Sequence, residues 1–190
     1  MNLSDIIKKL PDTIETERLL LKKHTLNEKY IQLWVDSVNA NLPWLSKFIS
    51  HFEEPTTFAK QKASIEKKLN SDKEINYAIW NKETNELMGS IVAHNYDEKA
   101  NPESVELGGM LFKKFAGFGY GPEANSALVD LLFQQGIKNA RANIEPENTR
   151  SRRSAEKAGY TWDGKEIGYS YNHPDVPMLV YRKFSKLHSK

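Results

Sequence analysis

The chain has 190 residues, 39% of them apolar, with no cysteine and with 27 basic against 25 acidic side chains. That length suits one domain burying roughly 70% of the surface its unfolded form exposes, and eight Phe, eight Tyr and four Trp supply core material that a disordered chain lacks. Without cysteine there is no disulfide framework, thiolate zinc site, iron–sulfur cluster or cysteine nucleophile, and the near balance of charge argues against a general nucleic-acid or membrane binder.

The start is polar and lysine-bearing, with no apolar stretch behind it. Apolar runs such as 77–80 and 178–181 are far short of a membrane span. Neither a signal peptide nor a membrane segment is expected, and the cytoplasm is the expected compartment. In chain order, Leu19-Leu20-Leu21 predicts a first strand ending near Lys23. Tyr30, Ile31, Leu33, Trp34 and Val38 fall at helical intervals over 27–39. A helical piece over 43–50 follows, then one after Pro55 carrying Phe58, Ala59, Ala63, Ile65 and Leu69. Residues 75–80 and 87–93 read as a hairpin around a polar turn, and 103–112 as a strand interrupted by Gly108-Gly109.

The second half is more regular. Residues 122–135 place Ala124, Ala127, Leu128, Leu131 and Leu132 on one helix face, with proline in the first turn and Gly136 as the stop. A strand near 140–145, a basic helix near 149–158 and strands at 160–162 and 178–184 complete the pattern. This alternation predicts a single α/β (α+β) domain over 1–190, with 1–14 as an N-terminal extension and 185–190 as a basic tail. Its core is expected to be a mixed, mostly antiparallel central sheet of about seven strands flanked by helices.

Between the strand ending at Phe112 and the helix at Pro122 lies Ala116-Gly117-Phe118-Gly119-Tyr120-Gly121. Glycine at every second position lets backbone approach a ligand, and the unpaired N–H groups of a helix N-terminus attract an anion. Phosphate binding is one reading, and a tight turn that needs positive φ is another. No Gly-Lys-Ser/Thr closes a P-loop, and the spacing does not fit the dinucleotide fingerprint. Residues 138–157 then carry six basic side chains (Lys138, Arg141, Arg150, Arg152, Arg153, Lys157) against Glu145, Glu147 and Glu156. Within this stretch Glu145-Pro146-Glu147-Asn148-Thr149-Arg150-Ser151 joins strand to helix. Asn148 or Thr149 as a plain helix cap beside a solvated basic face is the simpler alternative.

Together the two stretches resemble the GNAT superfamily of N-acetyltransferases, which use acetyl-coenzyme A. Ala116 to Gly121 is similar to the family's pyrophosphate turn, with Ala116 standing where a Gln or Arg is usual. Thr16-Glu17-Arg18-Leu19, Leu42-Pro43-Trp44-Leu45, Val105-Glu106-Leu107-Gly108, Pro146-Glu147-Asn148-Thr149-Arg150-Ser151 and Glu156-Lys157-Ala158-Gly159-Tyr160 resemble the RimJ/RimL-type branch, the ribosomal-protein N-terminal acetyltransferases. The motifs run in order from about residue 15 to 185.

The resemblance implies a GNAT-like fold and acetyl transfer from acetyl-CoA to a primary amine by direct attack in a ternary complex. Gly117, Phe118, Gly119, Tyr120 and Gly121 would hold the pyrophosphate. Met110, Leu111 and Phe112 would pair with the pantetheine arm and aim a backbone N–H at the thioester carbonyl. Asn148 would bond the same arm, Arg153 (or Arg152) a cofactor phosphate, and Ser151 would protonate the leaving thiolate, or else be a first-turn helix serine bonded to backbone. Strand alternation puts Glu106 on one face with Gly108, Met110 and Phe112, making it the candidate general base, or else a strand carboxylate held in hydrogen bonds. Some relatives place a Glu near Ser170, which this chain lacks. Tyr160 is expected in the core. Trp44 and Phe48, within 40–58, are expected to border the acceptor site, as an aromatic clamp or as packing.

An α-amine is roughly 10–15% neutral at pH 7 and a lysine about 0.04%, so a chain without a dedicated base fits a protein N-terminal α-amine, a ribosomal protein among the candidates. A polyamine, amino acid or aminoglycoside, or a binding module without turnover, are the alternatives. Five scattered histidines with no His-x-x-x-His pair predict no metal site. No direct nucleic-acid recognition is expected, and a homodimer stays open.

Overall fold

Strands with alternating apolar positions, Leu19 and Leu21 in one, Ala140, Ala142 and Ile144 in another, bury those side chains and build a single sheet. A computed structural model describes residues 3–49, 52–94, 103–167 and 175–186 of the chain. The described strands are β1 (Thr13–Glu15), β2 (Leu19–Lys23), β3 (Glu74–Asn81), β4 (Leu87–His94), β5 (Ser104–Leu111), β6 (Asn139–Ile144), β7 (Thr161–Ile167) and β8 (Met178–Phe184). Their spatial order is β1-β2-β3-β4-β5-β6-β8-β7. Only β5 and β6 pair in parallel. The sheet is thus mixed and mostly antiparallel, with eight strands rather than about seven.

The added strand lies in the segment read as an extension, where Thr13, Ile14 and Glu15 pair with Lys22, Leu21 and Leu20. A short helix precedes it, α1 (Leu3–Ile7). Ile6 is 0% exposed and Leu10 4%, so this segment reaches the core.

The other helices are α2 (Glu28–Ala40), α3 (Leu42–Leu45), α4 (Phe58–Leu69), α5 (Tyr120–Gln134) and α6 (Thr149–Lys157). Asn27 caps α2 by accepting the Tyr30 N–H, and Tyr30, Ile31, Trp34 and Val38 are buried along it, as their spacing predicts, whereas Leu33 turns outward and is 41% exposed. The helical piece expected over 43–50 is one turn, Leu42–Leu45, followed by looser turns in which Ile49 N–H still reaches Leu45 O at 3.1 Å. His24, directly after β2, is a core histidine bonded to Tyr30 Oη at 2.5 Å and Asn76 Oδ1 at 2.9 Å.

Successive residues at the end of β5 show the layers. Phe112 meets Trp34 of α2, ring centres 6.2 Å apart, while a Cβ on Gly121 in α5 would lie 3.7 Å from Leu111 Cδ1. Helix α2, with α4 packed on it, therefore covers one face, and α5 covers the other. Strand β5 is continuous through Gly108-Gly109.

One irregularity makes room for a site. Strands β5 and β6 pair only at Ser104↔Asn139, Val105↔Ala140 and Glu106↔Arg141. Beyond that, β5 stays with β4 as far as Leu111 and β6 stays with β8 as far as Ile144, so the two strands diverge. At Gly89 in β4 a Cβ would sit 2.0 Å from Met110 O, so only glycine lets β4 follow β5 this closely.

Candidate active site

Where β5 leaves β6, its backbone groups alternate between a partner and an open side. Phe112 N–H donates to Met88 O at 2.8 Å, and Met110 O lies against Gly89, so these two residues face β4. Leu111, between them, faces the open side, where its carbonyl accepts the Trp44 indole N–H at 2.9 Å. Of the three predicted strand contacts, Leu111 is the one with backbone turned into the cleft. The Phe112 side chain is buried, at 2% exposure.

The glycine turn follows. A short 3-10 turn at Lys113–Phe115 leads to Gly117 and Gly119, with φ of 94° and 84°, a region costly for any residue with a Cβ. Helix α5 then starts at Tyr120 with no side chain capping it. Its first N–H groups have no acceptor within the helix. Left-handed glycines before an uncapped helix form an anion cradle, and the open edge at Leu111 runs up to it. The residues present therefore fit a ligand with a phosphate end and an extended amide-bearing arm.

Charge at the cradle is set by residues that the motif does not contain. Glu123, in the first turn of α5, would compete with an anion for the helix N-terminus. Arg18 cancels it, with Nε 2.7 Å and Nη2 2.6 Å from Glu123 Oε2, while Arg18 N–H and the Thr16 hydroxyl donate to Oε1 at 3.0 and 2.6 Å. Burial alone would raise the Glu123 carboxyl, but these bonds outweigh it and hold the group below the usual carboxylate range. Arg18 Nη1 also donates to Phe118 O at 3.0 Å, and the guanidinium lies 4.6 Å from the Tyr120 ring centre. The Phe118 side chain is exposed. Arg18 thus grips the turn that Ala116 cannot, a role hidden in sequence by the hundred residues between them.

Helix α6 borders the cleft opposite. Asn148 Oδ1 caps it by accepting the Ser151 N–H at 3.1 Å, so the expected cap is present and the amide nitrogen remains as a donor. Among the described residues no group bonds the half-buried Ser151 hydroxyl. Arg152 is held structurally, donating to Tyr181 Oη at 3.1 Å and Pro146 O at 3.3 Å. Arg153 is exposed, and Tyr160 is buried at 2% exposure. Where α6 approaches α5, a Cβ on Gly121 would meet Ser154 Oγ at 3.2 Å.

Glu106 stands where the strands part, in a row with its cross-strand neighbours His94 and Arg141. Arg141 Nε and Nη2 are both 3.1 Å from Oε2, and His94 Nε2 is 3.7 Å from Oε1. Burial would raise this carboxyl, yet His94 and then Arg141 outweigh it and keep it below the ordinary range. Four residues of strand, about 13 Å, separate it from Met110. Gly108 and Gly109, both exposed, leave the strand between them bare.

On the α2 side, Asn41 Oδ1 accepts the Lys113 N–H at 2.9 Å, which together with the Trp44 bond staples α3 to the end of β5. The Trp44 ring carries the Arg150 guanidinium, 4.0 Å from its centre, across the mouth of the cleft. Phe48 has Lys47 Nζ 5.3 Å from its ring centre and is not joined to this group by any hydrogen bond or ring contact. Ser170 lies outside the described residues, as do His51 and His173. Among the described residues no three His, Cys, Asp or Glu side chains gather as a metal site would require, and no helix is long and apolar enough to cross a membrane.

Comparison with known proteins agrees with this geometry. Residues 18–161 match the family model of the acetyltransferase (GNAT) domain. An acetyltransferase of the GNAT family from Bacillus anthracis superposes with a TM-score of 0.75 at 24% identity, covering 92% of this chain and 99% of that one. The microcin self-immunity acetyltransferase MccE, in complex with acetyl-CoA and AMP, gives 0.81 at 20% identity over 92% and 97%. RimL, a ribosomal alpha-N-protein acetyltransferase, in complex with coenzyme A, gives 0.77 at 17% over 90% and 97%. At these identities the likeness establishes the fold. No curated protein matches the chain.

Proposed function

The chain belongs to the acetyltransferase (GNAT) domain family, an acetyl-CoA-dependent acyltransferase by that membership, and on that premise we propose that it acetylates the α-amine at a protein N-terminus. The observation that carries the cosubstrate is the uncapped start of α5 behind two left-handed glycines, continuous with the open edge of β5. Acetyl-CoA supplies an activated acetyl thioester. The N–H groups of residues 117–121 would bind its pyrophosphate, with Arg153 as a flanking charge. The edge of β5 at Leu111, and Asn148 through its amide nitrogen, would bind the pantetheine arm. Leu111 N–H is then the backbone donor for negative charge developing on the carbonyl oxygen. The Ser151 hydroxyl, with no partner among the described residues, would give its proton to the departing thiolate.

Glu106 stays ionised in its pairing with Arg141 and His94. That favours a carboxylate attracting the acceptor's ammonium over a strong base, with water along the bare strand at Gly108-Gly109 carrying the proton. A weak base suffices for an α-amine, already partly neutral at pH 7, and not for lysine. The structural likeness to RimL supports the same acceptor class, a ribosomal protein among the candidates. A non-catalytic acyl-CoA-binding module would use the same turn, held by Arg18, and turnover is what separates it from an enzyme.

The test is calorimetric titration with acetyl-CoA, then thiol release against N-terminal peptides and polyamines. Binding in the micromolar range, abolished in Gly119→Val because a branched residue is strained at φ 84°, and turnover on peptides are expected. Undiminished binding in Gly119→Val would show the cradle lies elsewhere, and turnover on polyamines alone would replace the acceptor class.

A further inference from the structure

The interaction at the cleft mouth has a feature that the transfer chemistry does not use. Arg150 sits in the first turn of α6, exposed to solvent, and its one described contact is the Trp44 ring 4.0 Å away. Trp44 is itself fixed, because its indole N–H donates to Leu111 O. The arginine is therefore held over the acceptor side of the strand end, one residue before Ser151. Stacking engages the flat face of a guanidinium and leaves its in-plane N–H donors free, which is the arrangement that receives a carboxylate through two parallel hydrogen bonds. Its neighbour Arg152 is engaged by Tyr181 and Pro146. Lys113, exposed and tied by its backbone to Asn41, adds positive charge at the same rim.

We propose that Arg150, stacked on Trp44, is the specificity-determining residue for the acceptor, selecting amines that carry a carboxylate close to the amino group. The chemistry fits a peptide whose second or third residue is acidic. A free acidic amino acid would present the same groups, and the test separates the two. This inference rests on the acetyl-transfer reading above.

The experiment uses the full chain, saturating acetyl-CoA and thiol release with matched peptides beginning Ser-Glu, Ser-Gln and Ser-Lys, with free glutamate as a separate arm. The expected result is a kcat/KM for Ser-Glu about tenfold above Ser-Gln, the size of one charge-assisted hydrogen bond at a wet site. That ratio should shrink at high salt. In Arg150→Gln it should fall to within about twofold of unity, and in Arg150→Glu it should turn in favour of Ser-Lys. Trp44→Phe, which keeps a ring under Arg150 but loses the bond to Leu111, should retain part of the preference.

A wild-type chain indifferent to the acid overturns the proposal. So does an acid preference that survives Arg150→Gln, or an Arg150→Gln whose loss is in acetyl-CoA affinity with the peptide ratio intact. Free glutamate outrunning every peptide would retain the carboxylate subsite and replace the peptide. If acetyl-CoA binds and no amine of any kind releases thiol, the transfer reading itself fails and this inference with it; acetylation without acid preference sinks this inference alone.

Discussion

Arg18 carries more of the cradle than its place in the chain suggests. It neutralises Glu123, bonds the Phe118 carbonyl and stacks on Tyr120. With the arginine removed, an ionised Glu123 would stand in the first turn of α5, where the proposed function places the pyrophosphate. Arg18→Ala should raise the KM for acetyl-CoA about tenfold, more than kcat falls, with Arg18→Lys recovering part of the loss. Steady-state kinetics against acetyl-CoA decide it. A drop in melting temperature with no change in KM would reduce Arg18 to a structural residue. The glycines of the turn were legible because positive φ has a residue signature. Arg18, Asn41 and the Arg150–Trp44 stack were not, because each acts through a partner far along the chain, and pairings of that kind leave no local pattern.

At the scale of elements, periodicity read well where one face is buried and poorly where packing alone sets the outcome. Strand β6 buries the positions its spacing marks, and helices α2 and α5 bury most of theirs, with Leu33 exposed and Ala127 and Leu131 half-buried. Strand β5 runs unbroken through two glycines because β4 holds it in register. The junction of β2, α2 and β3 carries a test of its own. His24 bonds Tyr30 and Asn76 there and meets Trp34 edge-on at 5.1 Å. Burial first, and then the charge of Lys68, lower its pKa to about 4, against the opposing bond from Asn76. An unfolded histidine takes its proton near pH 6.5. The unfolded state therefore binds more protons between pH 6.5 and 4, and stability from this group, full above 6.5, is lost as pH falls through that window. The loss is on the order of 3 kcal/mol. Urea midpoints at pH 7 and 4.5 should show it in the wild type. In His24→Gln the drop should shrink to what the carboxylates contribute, and an identical drop in both proteins would count against the histidine.

For the whole molecule, an α/β layering followed from the alternation of elements, but the strand order did not. That β5 pairs in parallel with β6, and only for three residues before β8 draws β6 away, depends on the twist and packing of the whole sheet. The cleft is a consequence of that divergence. At the other end of the sheet, the segment read as an N-terminal extension has a polar, lysine-bearing start that gives no local sign of its packing. Ile6 and Leu10 are nonetheless buried, Tyr77 Oη donates to Pro11 O at 2.6 Å, and Lys23 Nζ reaches Leu10 O at 3.1 Å and Asp12 Oδ1 at 2.9 Å. Two apolar side chains and a buried tyrosine hydroxyl thus depend on this segment. Ile6→Ala should cost about 2–4 kcal/mol, the usual loss for a fully buried branched side chain. Removing residues 1–12 should cost at least as much, since the Tyr77 hydroxyl then also loses its acceptor. Denaturant midpoints of both variants measure this, with acetyl-CoA affinity as a control, because residues 10–12 meet the Lys23 end of β2 while the cradle is held at the opposite, Arg18 end. A loose extension would leave both midpoints within about 0.5 kcal/mol of the wild type, an outcome that would detach the segment from the core.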